Sequence, residues 1–112
     1  GGAMKPSSAK AKGRNFQNKV RELIMEYLDI NEHDIKTAVM GESGMDIKLS
    51  SAARKKFGYA VECKKVEKIN IWKCYEQATE NSQDLEPLLI FSKNNSKVIN
   101  NAICVRIVAS GR

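Results

Sequence analysis

The sequence has no pair of cysteines at C-x-x-C spacing and only one histidine. Its three cysteines, Cys63, Cys74 and Cys104, stand far apart and are odd in number. A structural zinc site draws on four ligands, commonly in close Cys or His pairs, so this pattern argues against one. Each cysteine has apolar neighbours and reads as a small hydrophobe in a reducing, intracellular, cytoplasmic setting. His33 lies in a polar stretch with no ligand partner at useful spacing, and reads as a surface residue rather than a general base. No apolar run approaches the ~20 residues that span a bilayer. No apolar segment of signal-peptide type follows the basic N-terminus, and no internal repeat is visible.

What is present fits one domain. A chain of 112 residues can bury a core of modest size. Gly1-Gly2-Ala3-Met4 reads as the remnant of a cleaved tag, and the stretch from Lys5 to Arg14 as a flexible basic arm without large apolar residues. Residues 1–13 are therefore set apart from a single domain over 14–112. Net charge is +6, which suggests a polyanionic partner, nucleic acid being the usual one; solubility alone is the alternative.

Periodicity predicts an α/β chain. Phe16, Val20, Leu23, Ile24, Tyr27 and Leu28 form one apolar stripe of a helix from Asn15 to Ile30. Strands follow over Ile35 to Met40, Met45 to Leu49 and Tyr59 to Val66. Between the first two lies a Gly41–Gly44 turn; between the last two lies a polar, basic connection with room for one helical turn. Asn70 can cap a second helix running to about Gln83, and Leu88 to Phe91 reads as a strand buried on both faces. Lys93 to Lys97 is a polar turn, and Ala102 to Val108 a last strand. The order α-β-β-β-α-β, with the terminal strand added, predicts a three-stranded meander within a mixed central sheet flanked by helices.

Three polar residues occupy strand positions. Glu62 and Lys64, two apart, project from one face. If the second and third strands pair, Asp46 comes beside Glu62. Two adjacent carboxylates make a hard oxygen site suited to Mg²⁺, with the Cys63 carbonyl as a further ligand. A cation there polarises a phosphate oxygen and lowers the pKa of a water, and Lys64 can orient that water or stabilise phosphoryl charge. Phosphodiester hydrolysis needs this set. The plainer alternatives are a solvated strand face for Glu62 and Lys64 and turn chemistry for Asp46.

Gly44-Met45-Asp46, Val61-Glu62-Cys63-Lys64 and the strand-strand-helix order resemble the PD-(D/E)XK nuclease superfamily. Longer strings resemble small bacteriophage nucleases described as Holliday-junction-resolvase-like: Gly13 to Gln17 with Val20-Arg21, Met40 to Gly44, Leu49 to Arg54, and Asn70-Ile71-Trp72 with Glu76-Gln77-Ala78. The likeness covers roughly residues 13 to 93; Met45 stands where the superfamily's name has proline. It implies a restriction-endonuclease-like core, a Mg²⁺ or Mn²⁺ cofactor and DNA as substrate. It assigns metal binding to Asp46 and Glu62 and catalysis to Lys64. It also implies an acidic residue on the first helix, for which Glu22 is the nearest candidate and Glu26 the second. Gln77 resembles a glutamine that assists the site in some members; a solvated helix face is its alternative.

For DNA contact the candidates are Arg14, Arg54, Lys55, Lys56, Lys65 and Lys68, with the basic arm suited to lie along the backbone. Trp72 is expected to pack its helix, base stacking being the alternative. The expected activity is a metal-dependent DNA endonuclease, with branched DNA such as Holliday junctions as a candidate substrate. Paired cuts at a two-fold junction suggest a homodimer. The competing readings are a non-catalytic DNA-binding module, a nicking enzyme and an exonuclease.

Overall fold

A computed structural model describes residues 6–39, 41–93 and 103–105. Met40, the turn beyond Lys93 and the Cys104 side chain lie outside the described residues, as does most of the expected last strand. The elements are α1 (Pro6–Leu28), a 3-10 turn (Glu32–Asp34), β1 (Ile35–Thr37), β2 (Ile47–Leu49), α2 (Ser51–Lys56), β3 (Tyr59–Val66), α3 (Ile71–Glu80), β4 (Glu86–Lys93) and β5 (Ile103–Val105). No helix among the described residues is long and apolar enough to cross a membrane.

Helix α1 begins at Pro6, so residues 6–14, expected as a flexible arm, are helical. Proline suits a first helical position, because the N–H it lacks would have no partner there, and the alanines and lysines that follow favour helix. The stripe is shorter than expected. Phe16, Val20 and Ile24 are buried, but Tyr27 is 80% exposed and Leu28 stands at the surface. Asp29 takes a left-handed conformation (φ 50°) and the Ile30 N–H donates to the Met25 carbonyl at 3.1 Å. That bond closes the helix and turns Ile30 into the core, so the chain leaves before Tyr27 can reach it. Arg21 donates to the carbonyls of Ile35 (2.7 Å) and Glu32 (2.8 Å), tying α1 to the start of β1.

Strands β1 and β2 pair antiparallel, Ile35 opposite Leu49 and Thr37 opposite Ile47. Gly41 and Gly44 in the turn between them adopt positive φ, which a side chain would oppose. The basic connection folds into α2, whose start the Ser50 hydroxyl caps by accepting from the Ala53 N–H. Strand β3 has the expected limits. It runs parallel to β4, with Glu62 opposite Leu89, and β4 pairs antiparallel with β5. Asn70 caps α3 as expected, but the helix ends at Glu80 rather than near Gln83, where positive φ (53°) reverses the chain.

The expected single central sheet is replaced by two small sheets, β1–β2 and β3–β4–β5. Among the described residues one backbone bond joins them, from the Asp46 N–H to the Val61 carbonyl at 3.0 Å. The next rung is made by a side chain: the Cys63 N–H donates to Asp46 Oδ2 at 2.7 Å. Where the meander would continue its backbone ladder, a carboxylate has taken the acceptor's place, and the sheet opens there. The two sheets still share one core. Phe16, Val20 and Ile24 of α1 pack with Ile35, Ile47, Val61, Cys63 and Ile90. Helix α3 covers the other face of β3 and β4, over Ala60, Glu62 and Leu89.

Candidate active site

The opening between the sheets brings Asp46, Glu62 and Lys64 together. Glu62 is only 3% exposed because β3 is covered on both faces. Its Oε1 lies 3.7 Å from Lys64 Nζ. Its Oε2 is buried and meets no hydrogen-bond partner among the described residues. Burying a carboxylate while leaving one oxygen unpaired is unfavourable for the ionised form. The Glu62 carboxyl is accordingly pushed up to about 7, first by burial and then by the charge of Asp46, against the pull of Lys64 and the Asn81 amide. Asp46 is also raised by burial, which outweighs its bond from the Cys63 N–H and the charges of Lys64 and Lys48.

These groups fit a small divalent cation. The unpaired Glu62 oxygen and the Asp46 carboxylate would be its two carboxylate ligands. Along a strand, N–H and C=O of one residue face the same edge, so the Cys63 carbonyl turns to the side on which its N–H meets Asp46. Among the described residues no group of three or more His, Cys, Asp and Glu comes together. A cation held by two carboxylates retains several waters, the coordination Mg²⁺ prefers.

The other expected site residues are not gathered here. Glu22 is exposed on α1 and pairs with Lys19 at 3.6 Å; Glu26 is exposed as well. Gln77 is exposed on α3. The face of α1 that does approach Asp46 carries Lys10, Arg14 and Gln17, which line a cavity of about 310 Å³ with Glu42 and Asp46. Gln17 was missed from the sequence and Lys10 was read only as part of the basic arm, although their spacing of seven puts them on one helical face with Arg14 between. Asn81, whose amide acts on Glu62, was also missed. It is far from Glu62 in sequence, and a cap residue carries no other signal.

The basic candidates divide. Arg14, Lys55 and Lys68 are exposed. Arg54 bonds Asp84 (3.2 Å) and Gln83, and Lys56 donates to the Asp29 carbonyl at 2.8 Å. Lys65 turns to the α1 face, where it donates to Ser92 Oγ at 3.1 Å and lies 5.8 Å from the Phe16 ring centre.

No family model, curated protein or solved structure matches the chain.

Proposed function

We propose that this chain is a Mg²⁺- or Mn²⁺-dependent DNA endonuclease on a restriction-endonuclease-like PD-(D/E)XK core, directed to branched DNA such as Holliday junctions and acting as a homodimer. The observation that carries this reading is the buried Glu62 carboxylate, one oxygen unpaired, flanked by Asp46 and Lys64. Such an arrangement is costly to fold and is explained by a ligand that needs it. Asp46 and Glu62 would hold the cation, which when bound supplies a Lewis acid toward a phosphate oxygen and a more acidic water.

The chain's own groups do the rest. The Lys64 ammonium, kept close by Glu62, stabilises the charge that grows on the phosphoryl oxygens and holds the attacking water by hydrogen bonding. A water oxygen bonds to phosphorus and releases a proton to solvent, the bridging P–O bond breaks, and the departing oxygen takes up a proton from solvent. Lys10 and Arg14 give the cavity beside Asp46 two cations for the DNA backbone.

The test uses labelled four-way junction, linear duplex and closed circular DNA in Mg²⁺, Mn²⁺ or EDTA, with Glu62→Ala and Lys64→Ala alongside. Metal-dependent cutting of the junction, lost in both variants, is expected. Degradation from ends that spares the circle would mean an exonuclease, and single nicks in the circle a nicking enzyme. Tight binding without cutting in either metal would leave a binding module.

A further inference from the structure

Trp72 was expected to pack its helix, but it is 70% exposed. The reason lies in the helix pattern. Ile71, Cys74, Tyr75 and Ala78 form the stripe of α3, with Ala78 fully buried, and Trp72 falls off that stripe. The core is therefore complete without it. Ile71 beside it is 37% exposed, and Lys68 and Lys73 flank the pair in the open. The acidic groups nearby are Glu67, before the helix, and Glu76, one turn further along it; both are exposed.

Position connects this patch to the proposed active site. The amide of Asn81, the C-terminal cap of α3, acts on Glu62, whereas Trp72 lies at the other end of the helix. At 1.5 Å per residue that separation is roughly 14 Å.

Resting on the endonuclease reading, we propose that Trp72, supported by Ile71, is a stacking platform for an unpaired DNA base near a branch or a frayed end. An indole offers a flat face to any base, and Lys68 and Lys73 attract the backbone on either side. The base pairs of an intact duplex are stacked and present no such face, so the platform selects for distorted DNA. A second copy of the chain fits this patch less well. Trp72 and Ile71 together expose on the order of 250 Å², against about 800 Å² per partner in a stable dimer interface.

Trp72 is the only tryptophan in the chain, so its fluorescence reports this site alone. The full chain in EDTA would be titrated with oligothymidylate, a four-way junction and a blunt duplex. Saturable quenching by the first two and little by the duplex is expected. Trp72→Ala should weaken binding of oligothymidylate and junction about 5- to 100-fold and of duplex less than about 2-fold, with Trp72→Phe retaining most of the affinity. Equal quenching by blunt duplex, or unchanged affinity in Trp72→Ala, would overturn the proposal. So would a fall in sedimenting mass in Trp72→Ala, which would assign the patch to a second copy. Because no metal is present, the outcome is independent of cutting: stacking without Mg²⁺-dependent cleavage would retain the platform and remove the endonuclease reading, and cleavage without stacking would do the reverse.

Discussion

Two groups of charges in this protein are treated in opposite ways. On α2, Arg54, Lys55 and Lys56 sit at the surface, and two of them are already bonded to the chain itself, Arg54 to Asp84 and Lys56 to the Asp29 carbonyl. Water can serve any of the three, and nothing further is needed to hold them. Between the two sheets, Asp46 and Glu62 are drawn out of water beside one another, and an oxygen of Glu62 finds no partner among the described residues. Charge in solvent is common on any protein, whereas charge buried against like charge is unfavourable unless a ligand offsets it. The contrast, more than a count of basic residues, is what supports the proposed site.

The strongest way to break this comparison is at Lys64. Lys64→Ala should lower cleavage by on the order of 10²- to 10³-fold in single-turnover assays, while DNA affinity changes little. A loss confined to binding would return Lys64 to the class of surface cations.

Next is the proton on Glu62. Its folded pKa, about 7, lies above the ordinary 4.5. The stability this group contributes is therefore complete below the unfolded value and lost as pH rises through the folded one. Without metal, the protein should lose about 3 kcal/mol between pH 4.5 and pH 8 on this account. Glu62→Gln should remove that slope in urea unfolding; under the proposed function Mg²⁺ should stabilise the native chain at pH 8 and not this variant. A Glu62→Gln variant as pH-sensitive as the native chain would show the carboxyl to be adequately solvated.

Smaller effects belong to α1. Gln17→Ala should lower kcat several-fold, because Gln17 lines the cavity with Asp46. Glu22→Ala, exposed and paired with Lys19, should leave kcat within about 2-fold. The reverse ranking would show that the helix turns or shifts when DNA binds.

Smallest is the change expected at Arg54. Its side chain is 31% exposed in the pair with Asp84, so Arg54→Ala should cost about 0–1 kcal/mol in stability. Binding should weaken equally for all DNA shapes, with the salt slope reduced by about one.

Several parts of this architecture were legible in the order of residues. The alternation of Tyr59 to Val66 predicts β3 to its limits, with Gly58 before it and the polar Glu67 and Lys68 after it. Asn70 marks the start of α3, since its side chain accepts from the Lys73 N–H as a cap must. Glu62 and Lys64 share a face for the same local reason that strand side chains alternate.

Other features depend on contacts between segments distant in sequence. Local pattern determined that this chain alternates helices with short strands and that Glu62 and Lys64 share a strand face, with Asp46 expected beside them. Only the tertiary structure decided that Asp46 breaks the sheet by accepting from Cys63, that Gln17 rather than Glu22 faces the opening, and that Trp72 remains outside the core. The reason is physical. Periodicity states which residues share a face, but what that face meets depends on the elements packed against it.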